Sequence, residues 1–177
     1  MTAVASPTAT APALRRLYLV RFGFALVWAV LMFATGSDLN PLSVSLLVLY
    51  PLFDVAAAVA DARSSRSSGL YVNIAVSSLA TVGVAIAAAS GIPAVLRVWG
   101  AWAIAAGLAQ LVLAIARRHM GGQWPMIASG AISTLAGTSF ILQAAKDSPS
   151  VAALAGYALL GGIFFLVSAL RLRRSAS

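Results

Sequence analysis

The stretch LYPLFDVAAAVADAR places a carboxylate, Asp54, three residues after Pro51 and inside an otherwise apolar run. Earlier in the chain, LYLVRFGFALVWAVLMFAT holds Arg21 in a similar setting. A charge inside an apolar helix is expensive and is kept for a reason, either a partner or a function. Asp54 lies about seven residues, or ~10 Å, from the basic end of its run, and Arg21 lies at a comparable depth in the first. That shared depth predicts an ion pair between the first two runs, with Arg21 otherwise snorkelling outward. The alternative is that the pair serves a small-solute or proton-linked transporter or channel. Pro51 removes one helical hydrogen bond beside the carboxylate and favours a kink there. Tyr50, Asp54, Ala57 and Asp61 share one helical face, so a polar stripe is expected along this segment.

The remaining polar candidates point to structure more than to chemistry. Asn73 and Gln110 sit in apolar runs, where amides more often join helices than bind substrate. Arg97 lies near one end of its run and is expected to reach outward. His119 is alone in a basic loop, with no second ligand nearby. The chain contains no cysteine, which excludes disulfides, thiolate metal sites and thiol catalysis. It offers no carboxylate pair, no nucleophile beside a base and no phosphate-cradling glycine loop. No catalytic, cofactor-binding or metal-binding residue is therefore expected, and the protein is read as non-enzymatic.

These residues are set in a chain of 177 residues that is 61% apolar and only 9% charged, with a mean hydropathy of +0.95. A soluble domain carries about 25% charged residues, so a lipid bilayer is the expected surroundings and partner. The net charge of +8 does not point to nucleic acid. Its arginines fall in short clusters between apolar runs, as on the cytoplasmic side of a membrane protein.

Six apolar runs of about 20 residues follow one another: 17–35, 41–60, 69–90, 94–116, 125–145 and 151–170. Each must be a helix, because lipid supplies no partner for an open backbone amide. The expected fold is thus all-α, a six-transmembrane-helix bundle of three helical hairpins, at 17–60, 69–116 and 125–170. Residues 1–14 read as a disordered tail, 15–174 as the membrane domain and 175–177 as a short end. Arg15 and Arg16 before an apolar run imitate a signal peptide, but the run is long and lacks a small-residue cleavage site, so it is read as a retained span. With alternating spans, the clusters at Arg15–Arg16, Arg63–Arg66, Arg117–Arg118 and Arg171–Arg174 share one side. Both termini are therefore expected to be cytoplasmic. The second helix of each pair ends in a basic segment, which suggests parallel repeats.

Small residues recur at helical spacing. Gly130, Ser133 and Gly137 form one stripe, Gly100, Ala103 and Gly107 another, and Ala155, Ala158 and Gly162 a third. Such stripes let backbones approach closely in lipid and are read as packing seams. Trp124, after two glycines and before Pro125, suits a helix start at the headgroup boundary.

The stretch MGGQWPMIASGAISTLAGTSFIL resembles the opening of the third hairpin in HdeD-like small bacterial membrane proteins, a family named after an acid-resistance membrane protein. Trp124, Gly130 and Gly137 match its pattern, as do Arg21 and Gly23 in the first run. Asp54 and Pro51 depart from it. The resemblance implies a multi-pass bacterial inner-membrane protein without established catalytic residues, associated with acid or envelope stress. A homo-oligomer, or a place as a packing subunit in a larger membrane complex, is compatible with this reading.

Overall fold

The computed structural model describes residues 7–36, 38–63, 68–116 and 124–174. They form six α-helices: α1 (Pro7–Thr35), α2 (Pro41–Ala62), α3 (Ser68–Ala88), α4 (Ile92–Ala116), α5 (Trp124–Gln143) and α6 (Ala152–Arg174). Five of these are long and apolar enough to cross a membrane, and α5 contains a shorter apolar stretch over Ile127–Gln143. The protein is a multi-pass membrane protein. One expected irregular segment is helical in part, because α1 begins at Pro7. Alanine supports helix strongly, and a proline in the first turn gives up only an amide that had no helical partner. Residues 1–6 and 175–177, as well as Arg66, Arg117, Arg118 and His119, lie outside the described residues.

Local signals explain the turns at one end of the bundle. Asn40 caps α2: its side chain accepts from the amides of Leu42 and Ser43, at 3.0 and 2.9 Å, while Ser43 Oγ accepts from the Asn40 amide at 2.9 Å. This reciprocal box satisfies amides that a helix start leaves open. Between α3 and α4 the chain reverses through Gly91 at φ +92, a conformation that side chains with a Cβ resist.

The helices form a closed ring in chain order, with α6 returning to α1. Packing is closest between α4 and α5, then between α1 and α6 and between α2 and α3. The members of each expected hairpin touch less, and α5 and α6 least of all. Short connections make neighbouring helices antiparallel. The start of α1, the end of α2, the start of α3 and their counterparts in α4–α6 therefore share one end, the arginine-rich one.

The α4–α5 seam shows what the glycine stripes do. A Cβ added to Gly100 would lie 2.6 Å from the Gly137 carbonyl oxygen, and one on Gly137 would lie 2.5 Å from that of Gly100. Gly107 and Gly130 meet in the same way, at 2.7 and 2.8 Å. The two stripes are the two faces of one crossing, where backbone lies on backbone. On α6, Gly162 sits against α1, and a Cβ there would be 3.0 Å from that of Ala25.

Candidate functional site

At the end opposite the arginines the bundle is filled. Trp28 and Met32 of α1, Leu47 of α2, Leu96 and Trp99 of α4 and Leu154 of α6 are all fully buried there. Trp28 donates from its indole nitrogen to the Leu46 carbonyl at 2.6 Å, which ties α1 to α2. Its ring lies 5.7 Å from Trp99 and 4.8 Å from Tyr50. Trp99 lies 5.1 Å from Trp102. These four rings, from α1, α2 and α4, form a floor across the bundle.

Above this floor, toward the arginine-rich end, lies a cavity of about 990 Å³ lined by all six helices. Tyr50 and Trp102 belong both to the floor and to the cavity wall. Small and polar residues make up much of the lining, beside larger ones such as Tyr18, Phe164 and Phe165. The small and polar ones include Ala103, Ala106 and Ala109 on α4, Gly69 and Asn73 on α3, and Gly161 and Ser168 on α6. Its volume is at the upper end of the ~300–1,000 Å³ common for small-molecule sites.

The two charges identified in the sequence meet on the cavity wall. Arg21 Nη2 donates to Asp54 Oδ1, and the pair's side chains are 12% and 20% exposed. Asp54 Oδ2 accepts from Asn73 Nδ2 at 2.9 Å and from Ser77 Oγ at 2.8 Å. Ser77 Oγ in turn accepts from Trp102 Nε1 at 3.2 Å. The Arg21 guanidinium also lies over the Phe165 ring, 4.6 Å from its centre. One carboxylate thus joins α1, α2 and α3, a hydroxyl extends the chain to α4, and a cation–π contact reaches α6. Both carboxylate oxygens are occupied, as a desolvated charge requires.

Of the predicted polar candidates, Arg21, Asp54 and Asn73 come together. Gln110 lines the cavity on α4. Arg97 is exposed and sits near the opposite end of α4, away from this cluster. Ser133 belongs to two places: it lies on the α5 glycine stripe, and its hydroxyl accepts from Tyr157 at 3.1 Å across the loose α5–α6 gap. Trp124 is 79% exposed at the start of α5. Sequence reasoning missed Ser77 and Trp102. Ser77 falls four residues after Asn73 and so on the same face, a spacing that marks it as a second donor to one acceptor. The partner of the Trp102 indole depends on tertiary packing and leaves no such mark. Compared with protein-family models, curated proteins and solved structures, the chain matches none.

Proposed function

We propose that this is a six-span, non-catalytic membrane protein that binds a small solute in the cavity at its arginine-rich end, as a carrier or a solute-responsive protein does. The observation that carries this reading is the 990 Å³ hollow lined by all six helices, with the neutralised Arg21–Asp54 pair on its wall. A membrane helix bundle gains its stability from close packing, so a hollow of this size forfeits contacts unless something occupies it. The closed floor below makes the site one-sided, as in one state of a protein with alternating access.

Treating α5 as the sixth span rests on two supports. It has 20 residues, or about 30 Å of helix. It also runs alongside α4 through two glycine contacts set seven residues apart on both helices. Six spans put both termini on one side, and the arginine clusters make that side cytoplasmic. Membership of the HdeD-like family, a repeat of three hairpins, a bacterial inner-membrane location and a stress role are part of the same proposal. They rest on the motif residues Trp124, Gly130 and Gly137, the last two of which lie at the tightest helix crossing.

The test is ligand-dependent thermal stabilisation of the purified protein in nanodiscs, across a panel of neutral, anionic and cationic small solutes. A ligand present at 100 times its Kd stabilises the folded state by about 2.7 kcal/mol. Gly161→Phe is the blocking variant, because a Cβ there meets only the Tyr50 hydroxyl, at 4.0 Å, and the ring has room to enter the hollow. Stabilisation of the parent by at least one solute, lost in Gly161→Phe, supports the reading. A panel without effect, or an effect that survives the block, removes it.

A further inference from the structure

The cavity does not end at the inner faces of the helices. Val72 of α3 and Leu108 and Val112 of α4 line it, and yet they are 51%, 47% and 68% exposed on the outside of the bundle, as is Leu160 of α6 at 39%. A residue that faces both the hollow and the exterior marks the rim of an opening. Leu108 and Val112 are four residues apart and stack one turn above the other on α4. Val72, Leu108 and Val112 therefore border a slot between α3 and α4, the side with the most such residues, and Leu160 lies at the rim on α6. The slot's origin is in the fold. The two helices are joined at the far end by the tight Gly91 turn, where Gly83 packs 3.1 Å from Val98 as measured from an added Cβ. Farther along they are still joined where Trp102 donates to Ser77, and Val72, Leu108 and Val112 lie beyond that bond, toward the arginine-rich end.

The rim is apolar and lies on a surface that faces lipid, so what passes through it is dissolved in the bilayer. The wall behind it carries different chemistry. Asn73 and Trp102 lie just inside, followed by the Arg21–Asp54 pair, whose charges cancel. Tyr50 and Tyr157 add further hydroxyl-bearing rings to the wall. A site with apolar rims, aromatic walls and hydrogen-bonding groups of no net charge suits an uncharged amphiphile. An anionic or cationic head would have to compete with a partner already in place. Resting on the solute-binding reading above, we infer that the ligand is a neutral, membrane-dissolved amphiphile with a hydroxyl or carbonyl head. It enters sideways between α3 and α4, its head against the Asn73–Trp102 wall and its apolar tail in the slot bordered by Val72, Leu108 and Val112.

The probe is a monoacylglycerol with a photoreactive group on its acyl chain, incorporated with the full-length protein in nanodiscs. The expected result is crosslinking concentrated at residues 72 and 108–112, competed by unlabelled monoacylglycerol but not by glycerol or by the matching fatty acid at pH 8. The double variant Leu108→Trp/Val112→Trp fills the rim from an exposed surface where the fold has room. It lowers the specific crosslink about tenfold, equivalent to ~1.4 kcal/mol of binding, while thermal unfolding of the ligand-free protein is unchanged. Crosslinking spread evenly over exposed apolar positions such as Leu79 and Leu142 overturns lateral access, as does a pattern unaffected by the double variant. If a water-soluble solute stabilises the protein and Gly161→Phe abolishes that effect while monoacylglycerol does not label the slot, the cavity reading stands and this inference falls. If no solute and no amphiphile binds, both fall.

Discussion

The two halves of the bundle use the same six helices and arrive at opposite interiors. Near the α1–α2 and α3–α4 turns, Trp28, Met32, Leu47, Leu96 and Trp99 close the centre completely. Near the arginine-rich end the side chains, many of them alanine, glycine or serine, leave a cavity. What differs is how each half is held. The filled half is secured by dispersion among large side chains, many weak contacts that add up. The hollow half cannot use that means and relies on ties: the Arg21–Asp54–Asn73–Ser77–Trp102 chain, the Tyr157–Ser133 bond and the Gly107–Gly130 contact, which continues into this half the glycine crossing that Gly100 and Gly137 make beside Trp99. A space can be kept open in a helix bundle only where its walls are linked to each other rather than to a common core.

This contrast is most exposed to failure at Asp54. Asp54→Ala leaves Arg21 without its carboxylate in a largely enclosed site, and removing one partner of a buried pair costs about 3–5 kcal/mol. Since 12–20% of the pair's side chains is exposed, the lower part of that range is expected in thermal or denaturant unfolding in mild detergent. Arg21→Met combined with Asp54→Leu recovers most of the loss, because no orphan charge remains. If Asp54→Ala unfolds like the parent, the hollow half is not held by this network.

The glycine crossing is next. Gly137→Val pushes a side chain into the Gly100 carbonyl, where even a Cβ would be 2.5 Å away, and the two backbones must separate. Overpacking of this kind costs about 1–3 kcal/mol, read as a lower unfolding temperature. Gly156→Ala, inside α6 with nothing within 4 Å of the added Cβ, is the control and is not destabilised, the gain in helix propensity being at most about 1 kcal/mol.

The two halves should then respond in opposite senses to side-chain size. Leu47→Ala empties space in the filled half and costs about 2 kcal/mol. That is the low end for a buried leucine, because the unfolded chain in lipid is also surrounded by apolar groups. Ala106→Leu adds volume to the hollow half and changes stability by less than about 0.5 kcal/mol, while it weakens any cavity ligand. Equal destabilisation by both would mean that the hollow is as tightly packed as the floor.

The helices are legible in the sequence because five of the apolar runs are long enough to cross a bilayer, and lipid permits no other backbone solution for such a run. The Arg21–Asp54 contact is legible for a related reason: two opposite charges at equal depth in a medium without water have few other ways to be satisfied. Helix starts are harder to read. Residues 7–14 look like an irregular tail because proline and threonine interrupt them, yet alanine extends α1 back to Pro7. The cavity is not legible at all. It is defined by what the side chains leave unfilled, and that depends on how far antiparallel neighbours diverge from turns such as Gly91. The exposed valines and leucines at its rim have the same composition as any lipid-facing surface.

The central claim is that the arginine-rich half is open and the opposite half closed, and the absence of native cysteine allows it to be tested by single-site labelling. Ala106→Cys on the cavity wall and Ala158→Cys in the filled half are each reconstituted in vesicles and exposed to a membrane-impermeant maleimide. Ala106→Cys is expected to be modified when the reagent is on the arginine-rich side and not from the other, while Ala158→Cys reacts only after denaturation. Protection of Ala106→Cys from both sides, or its modification from the side of the α1–α2 turn, would contradict the claim.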